Sequence, residues 1–163
     1  MVAQNIQPRH FDAAYAERVT LADGSHATLR MIRPSDKPQI VDGLGRMSET
    51  SRYRRFLSAK RSLSESELRY LTEIDGENHV AIVALEADGG ETRRIGVARF
   101  VRLSEEPTSA EAAVTVTDEN QGKGLGRVLL QRLVAAAVEL RAAGRGVLAV
   151  RRALQLGDDE VDR

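Results

Sequence analysis

The stretch Val114-Thr115-Val116-Thr117-Asp118-Glu119-Asn120-Gln121-Gly122-Lys123-Gly124-Leu125-Gly126-Arg127 runs from β-branched residues into alternating glycines, and an apolar helical pattern follows. The Val and Thr residues favour a strand, read here over Glu111 to Thr117. The helix is expected from near Gly124 to about Ala142. Leu125, Leu129, Leu133, Ala136, Ala137 and Leu140 line one side of it, and Val128, Leu130, Val134 and Val138 broaden that side. A helix start exposes unpaired N–H groups and a partial positive charge, so it receives phosphate readily. Gly122, Gly124 and Gly126 let a ligand approach the backbone, and Lys123 and Arg127 add positive charge. A glycine-rich helix start that binds nothing is the plain alternative.

Around this unit the chain alternates strand and helix signals. Val19 to Leu21 and Ala27 to Ile32 flank Asp23-Gly24, which predicts a β-hairpin. Pro34-Ser35-Asp36 opens a helix with Ile40, Val41, Leu44 and Met47 at helical spacing, and Ser48 caps a second helix through Phe56. Ser64 with Glu67 forms a capping box, and Leu68, Leu71 and Ile74 supply the buried face that follows. His79 to Glu86 and Arg93 to Leu103 read as antiparallel strands joined at Asp88-Gly89-Gly90. Glu105-Glu106-Pro107 marks a loop, and Val147 to Val150 a short buried strand. This order predicts a three-layer α/β (α+β) sandwich on a mixed, mostly antiparallel sheet. The expected parts are an N-terminal extension over 1–18, one domain over 19–150 and a short divergent tail over 151–163.

Composition narrows the function. The chain has 163 residues, 42% hydrophobic and 29% charged, with 24 basic and 24 acidic side chains. That suits one soluble domain and offers no bulk attraction for nucleic acid. Arg52, Arg54, Arg55, Lys60 and Arg61 cluster, but Tyr53, Phe56 and Leu57 among them fit the solvated side of an amphipathic helix better. With no Cys, thiolate chemistry and disulfides are excluded. His10, His26 and His79 lack a metal-ligand spacing, so no metal is expected. No apolar run suggests a membrane span and no signal-peptide core is seen, so the expected location is cytoplasmic.

The glycine turn can be tested against known phosphate patterns. A nucleotide P-loop needs four residues between its glycines and then Lys-Ser or Lys-Thr, which this turn lacks. The dinucleotide pattern needs a third glycine at Arg127 or Leu129 and fails too. The turn does match [Gln/Arg]-x-x-Gly-x-[Gly/Ala] at Gln121, Gly124 and Gly126. In this the chain resembles the GNAT N-acetyltransferase family from about Val19 to Val150. Its likeness is greatest to the catalytic domain of bacterial protein-lysine acetyltransferases. Four further stretches carry it: Leu21 to Gly24, Leu29 to Asp36, Ser51 to Phe56, and His79 to Ala84.

The resemblance implies a site and a reaction. Acetyl-CoA would place its diphosphate on the amides from Gly122 to Arg127 and its pantetheine arm beside the backbone of Thr115 and Val116. A strand N–H would then meet the thioester oxygen. Glu111, in Ala110-Glu111-Ala112-Ala113, matches the glutamate of the family's Ala-Glu-x-Ala pattern and would take the proton of the attacking amine. A solvated strand-end glutamate is the alternative. Asp118 and Glu119 are expected to cap the following helix. The acceptor would be a small-molecule amine or a protein lysine. A non-catalytic acyl-CoA-binding or regulatory module is the other function compatible with these residues.

The match breaks after Val150. Arg151 to Arg163 contain no Tyr and no Glu-Asn pair, both usual in the family at this end. The fold is therefore expected to be C-terminally incomplete and to lack the usual tyrosine acid. An open sheet side would then be available for a homodimer, unless Leu154 and Leu156 fold back over it.

Overall fold

The computed structural model of the protein describes residues 10–46, 48–50, 62–147 and 149–152. Six strands form one sheet in sequential order: β1 (Ala16–Thr20), β2 (His26–Met31), β3 (His79–Asp88), β4 (Glu91–Arg102), β5 (Ser109–Val116) and β6 (Ala149–Arg152). All neighbours are antiparallel except β5 and β6, which are parallel. Helices with both ends among the described residues are α1 (Lys37–Arg46), α2 (Glu65–Thr72) and α3 (Leu125–Ala142), with 3-10 turns at Pro34–Asp36 and Asp118–Asn120.

β3 shows why the sheet is covered on both sides. Its run Val80 to Leu85 is apolar without a break, and successive side chains alternate faces. Val80, Ile82 and Ala84 join α3 residues Leu125, Leu129 and Leu133 in one core. Ala81, Val83 and Leu85 join Ile32, Ile40 and Val97 in another, with Leu68, Leu71 and Ile74 packed against it. The sandwich expected from the sequence is therefore present. Ser64 caps α2 as predicted: its hydroxyl accepts the Glu67 N–H at 3.2 Å, and Glu67 Oε2 accepts the Ser64 N–H at 2.7 Å.

One irregularity in β4 matters for the site. Ala84 pairs with Gly96 but Leu85 pairs with Arg94, so Ile95 is an extra residue on β4. This bulge turns both Ile95 and Gly96 toward α3. A Cβ on Gly96 would lie 3.0 Å from Leu129 Cδ1 and 3.1 Å from the Thr115 carbonyl oxygen, so the glycine is what lets the first half of α3 lie close to the sheet.

Several expectations are corrected. β1 begins at Ala16, before the predicted hairpin strand at Val19, and Phe11 and Tyr15 are buried in the α3-side core. At the other end β6 is Ala149–Arg152 instead of Val147 to Val150. Val147 is buried in the approach to the strand. Val41, Val134 and Val138 are exposed, at 50%, 49% and 60%. Each follows a core residue by one position, about 100° around the helix, and so leaves the buried stripe. Met47, Ser51 to Phe56, the basic residues to Arg61, Leu148 and the tail from 153 lie outside the described residues. Among those described, no helix is long and apolar enough to cross a membrane.

Candidate functional site

The site is assembled where β5 hands the chain to α3. Thr117 is buried and donates both its N–H, at 2.9 Å, and its hydroxyl, at 3.3 Å, to the Ile95 carbonyl on the bulge. Asn120, 2% exposed, donates Nδ2 to Thr117 Oγ1 at 3.0 Å and fixes the 3-10 turn. Gln121 Nε2 donates back to the Val116 carbonyl at 3.4 Å. Gly122 and Gly124 then adopt left-handed φ values of 75° and 79°, which a residue with a Cβ enters only at a cost.

Gly124 is the N-cap of α3 and offers no capping side chain. The helix ladder begins with the Val128 N–H on the Gly124 carbonyl at 3.2 Å. The N–H groups of Leu125, Gly126 and Arg127 thus have no acceptor within the helix and gather at its positive end. Asp118 and Glu119 were expected to cap α3 and do not. They form the preceding 3-10 turn, where Asp118 accepts the Ser48 N–H at 3.1 Å and Glu119 lies 3.5 Å from Arg93.

β5 supplies the second part. Its pairing with β6 covers only Ser109 to Ala112. The bond from the Thr117 N–H to Ile95, carried along the register, makes Thr115 and Val97 a mutually bonded pair. The backbone groups of Thr115 are therefore spent on β4. Those of Val114 and Val116 point to the β6 side, beyond the last described pair at Ala112 and Arg152, and the Val116 carbonyl accepts Gln121 Nε2 there. Of the two residues expected beside the pantetheine arm, Val116 directs its N–H away from β4 and Thr115 directs its N–H toward it. Val114, not singled out from the sequence, shares the orientation of Val116. The alternation was legible only once a hydrogen bond fixed its phase.

Glu111 is the third residue of β5 and its side chain is exposed. It shares the face of Ala113 and Thr115, opposite α3, and pairs across the sheet with Val101. On the same face His79 and Arg99 are buried. Arg99 Nη1 donates to His79 Nε2 at 2.9 Å and to the Leu71 carbonyl at 3.2 Å, so the imidazole accepts at Nε2. Burial first, then the Arg99 charge, lowers the His79 pKa to about 4, against a smaller opposite pull from Asp75. Lys123 and Arg127 flank the turn as expected; Arg127 is exposed. A separate cavity of about 480 Å³ between α1 and the start of β4 is lined by Gln39, Arg46, Thr92 and Arg94, and contains neither Glu111 nor the glycine turn. Among the described residues, no group of three or more His, Asp or Glu could hold a metal ion.

The glycine start of α3 presents amides that can receive a diphosphate, and the N–H groups of Val114 and Val116 lead toward it along β5. The family model of the GNAT acetyltransferases matches residues 48–156, which include all of it. The chain belongs to the GNAT acetyltransferase family. It is 36% identical over 115 residues to an acetyltransferase of Pseudomonas aeruginosa (PA5475), covering 71% of this chain and 61% of that protein. It is 35% identical over 119 residues to the acetyltransferase Pat of Mycolicibacterium smegmatis, covering 73% of this chain and 35% of Pat. The chain thus spans only part of each curated relative. Among solved structures, the GNAT domain of S. lividans PAT superposes with a TM-score of 0.70 at 28% identity, over 86% of this chain and 77% of that one. As a GNAT member the chain has the mixed, curled six-stranded sheet of that fold.

Proposed function

We propose that the protein transfers an acetyl group from acetyl-CoA to a primary amine, with a protein lysine as the acceptor class. The observation that carries this reading is the left-handed glycine start of α3 set directly after β5, whose Val114 and Val116 direct their N–H groups away from β4. Acetyl-CoA supplies the acyl group already activated as a thioester. The amides of Leu125, Gly126 and Arg127 hold its diphosphate, aided by Lys123 and Arg127. The outward N–H groups of Val114 and Val116 pair with the arm and meet the carbonyl oxygen as charge develops on it. Glu111, exposed on the opposite face, takes a proton from the incoming ammonium directly or through a water, leaving a lone pair free to form the C–N bond. The C–S bond breaks, and the second proton lost by the nitrogen as it becomes an amide passes to the departing thiolate, giving free CoA thiol. The choice of lysine rests on the likeness to bacterial protein-lysine acetyltransferases and on the relationship to Pat.

Calorimetric titration with acetyl-CoA, followed by a thiol-release screen over amines and lysine-containing proteins, tests this. Saturable binding and amine-dependent release of free thiol are expected. Binding with no release from any acceptor would leave a coenzyme-binding module, and no binding would remove the reading altogether.

A further inference from the structure

Lys123 is fixed from outside its own loop. Its carbonyl accepts the Ala22 N–H at 3.0 Å, and its ammonium lies 3.3 Å from Asp23 Oδ2, both in the turn between β1 and β2. Asp23 is itself oriented: Oδ1 accepts the Ser25 N–H at 3.0 Å and the Ser25 hydroxyl at 2.5 Å, which turns Oδ2 toward Lys123. The same ammonium donates to Asn120 Oδ1 at 3.3 Å, and Asn120 is anchored through Thr117 to the bulge on β4. An ammonium has three N–H donors. Asp23 and Asn120 take two, and the third has no acceptor among the described residues. The Lys123 side chain remains 29% exposed, beside the amides at the start of α3.

We infer that Asp23 is a positioning residue for the coenzyme's diphosphate, acting by holding the Lys123 ammonium at the mouth of the helix-start cradle. This rests on the acetyl-CoA reading of the site. A free lysine must give up its rotamers when it meets a ligand, whereas Lys123 has already done so. A bare carboxylate at this place would repel a diphosphate. Paired with Lys123 it carries no net charge, and the remaining donor is directed by the pairing. The carboxylate is ionised throughout the neutral range, because the bonds from Ser25 first, and then Lys123, hold its pKa to about 2. Asparagine at this position keeps an acceptor for Lys123, whereas alanine does not.

The test is calorimetric titration of CoA into wild type, Asp23→Ala, Asp23→Asn, Lys123→Met and the Asp23→Ala/Lys123→Met double variant, with the melting temperature of each free protein. Asp23→Ala should weaken CoA binding by about three- to fivefold, the range of an exposed ion pair. Asp23→Asn should restore it, and Asp23→Ala should cost nothing further once Lys123 is Met. If wild type binds CoA while Asp23→Ala binds equally well, the inference falls and the site stands. The same follows if the Asp23→Ala loss persists undiminished beside Lys123→Met, since Asp23 would then act only through the hairpin. If wild type binds no CoA, both fall.

Discussion

His79 ties the stability of the fold to pH. Its imidazole is 8% exposed and keeps a pKa near 4, while an unfolded histidine titrates near 6.5. Between those values the unfolded chain binds a proton that the folded chain refuses, so stability rises with pH across the interval. The contribution is complete above about pH 6.5 and is lost as the pH falls toward 4. Asp75 acts lower. Burial would raise its pKa, but backbone N–H bonds from Glu77, His79 and Asn78 and the Asn78 side chain hold it to about 2. Urea midpoints should therefore drop from pH 7 to pH 4.5, and His79→Gln, which keeps an acceptor for Arg99, should flatten that drop. An equally steep fall in the variant would assign it elsewhere. Glu111 gives a second residue-scale prediction. Glu111→Gln should lower turnover about a hundredfold or more while leaving acetyl-CoA affinity unchanged, the pattern of a lost general base. Equal loss of both in initial-rate and calorimetric measurements would remove that role.

At the scale of the element, the start of α3 is where backbone conformation and the proposed coenzyme site meet. Gly124 holds φ 79° with nothing within 4 Å of where a Cβ would stand, so Gly124→Ala is opposed by conformation alone. A left-handed alanine costs about 1–2 kcal/mol, and relieving it would rotate the amides of Leu125 to Arg127 away from their common focus. The variant should unfold at lower urea and bind acetyl-CoA more weakly; full affinity at reduced stability would separate the turn from the site. This element was legible in the sequence because glycines between a β-branched run and an apolar helix leave few conformations open. The capping box at Ser64 and the unbroken apolar run of β3 were legible for the same local reason. Other features depend on partners distant in the chain. Nothing near Asp23 announces Lys123, and no short-range pattern marks Ile95 as a bulge. The phase of the β5 hydrogen bonds, which separates Thr115 from Val114, follows from a single contact to Ile95. The exposure of Val134 and Val138 follows from which stripe of α3 meets the sheet, a tertiary choice made by Leu129, Leu133 and Ala136.

For the whole molecule, charge balance bears on the proposed binding of the coenzyme. With 24 basic and 24 acidic side chains the protein has no net field to draw an anion from a distance. In the proposed site attraction comes from nearby groups: Lys123, Arg127 and the dipole at the start of α3. Charges that close are screened weakly, because the Debye length shortens only from about 30 Å at 0.01 M to about 8 Å at 0.15 M ionic strength. Lys123 is moreover already paired with Asp23, so little counterion is displaced when a diphosphate reaches it. Acetyl-CoA affinity should then weaken by less than about tenfold between those two salt concentrations, far short of the thousandfold or greater loss seen when many phosphates are neutralised at once. Titrations at four ionic strengths measure the slope. A steep one would mean that basic residues outside the glycine turn hold the coenzyme, and the cradle at residues 121–127 would no longer account for binding.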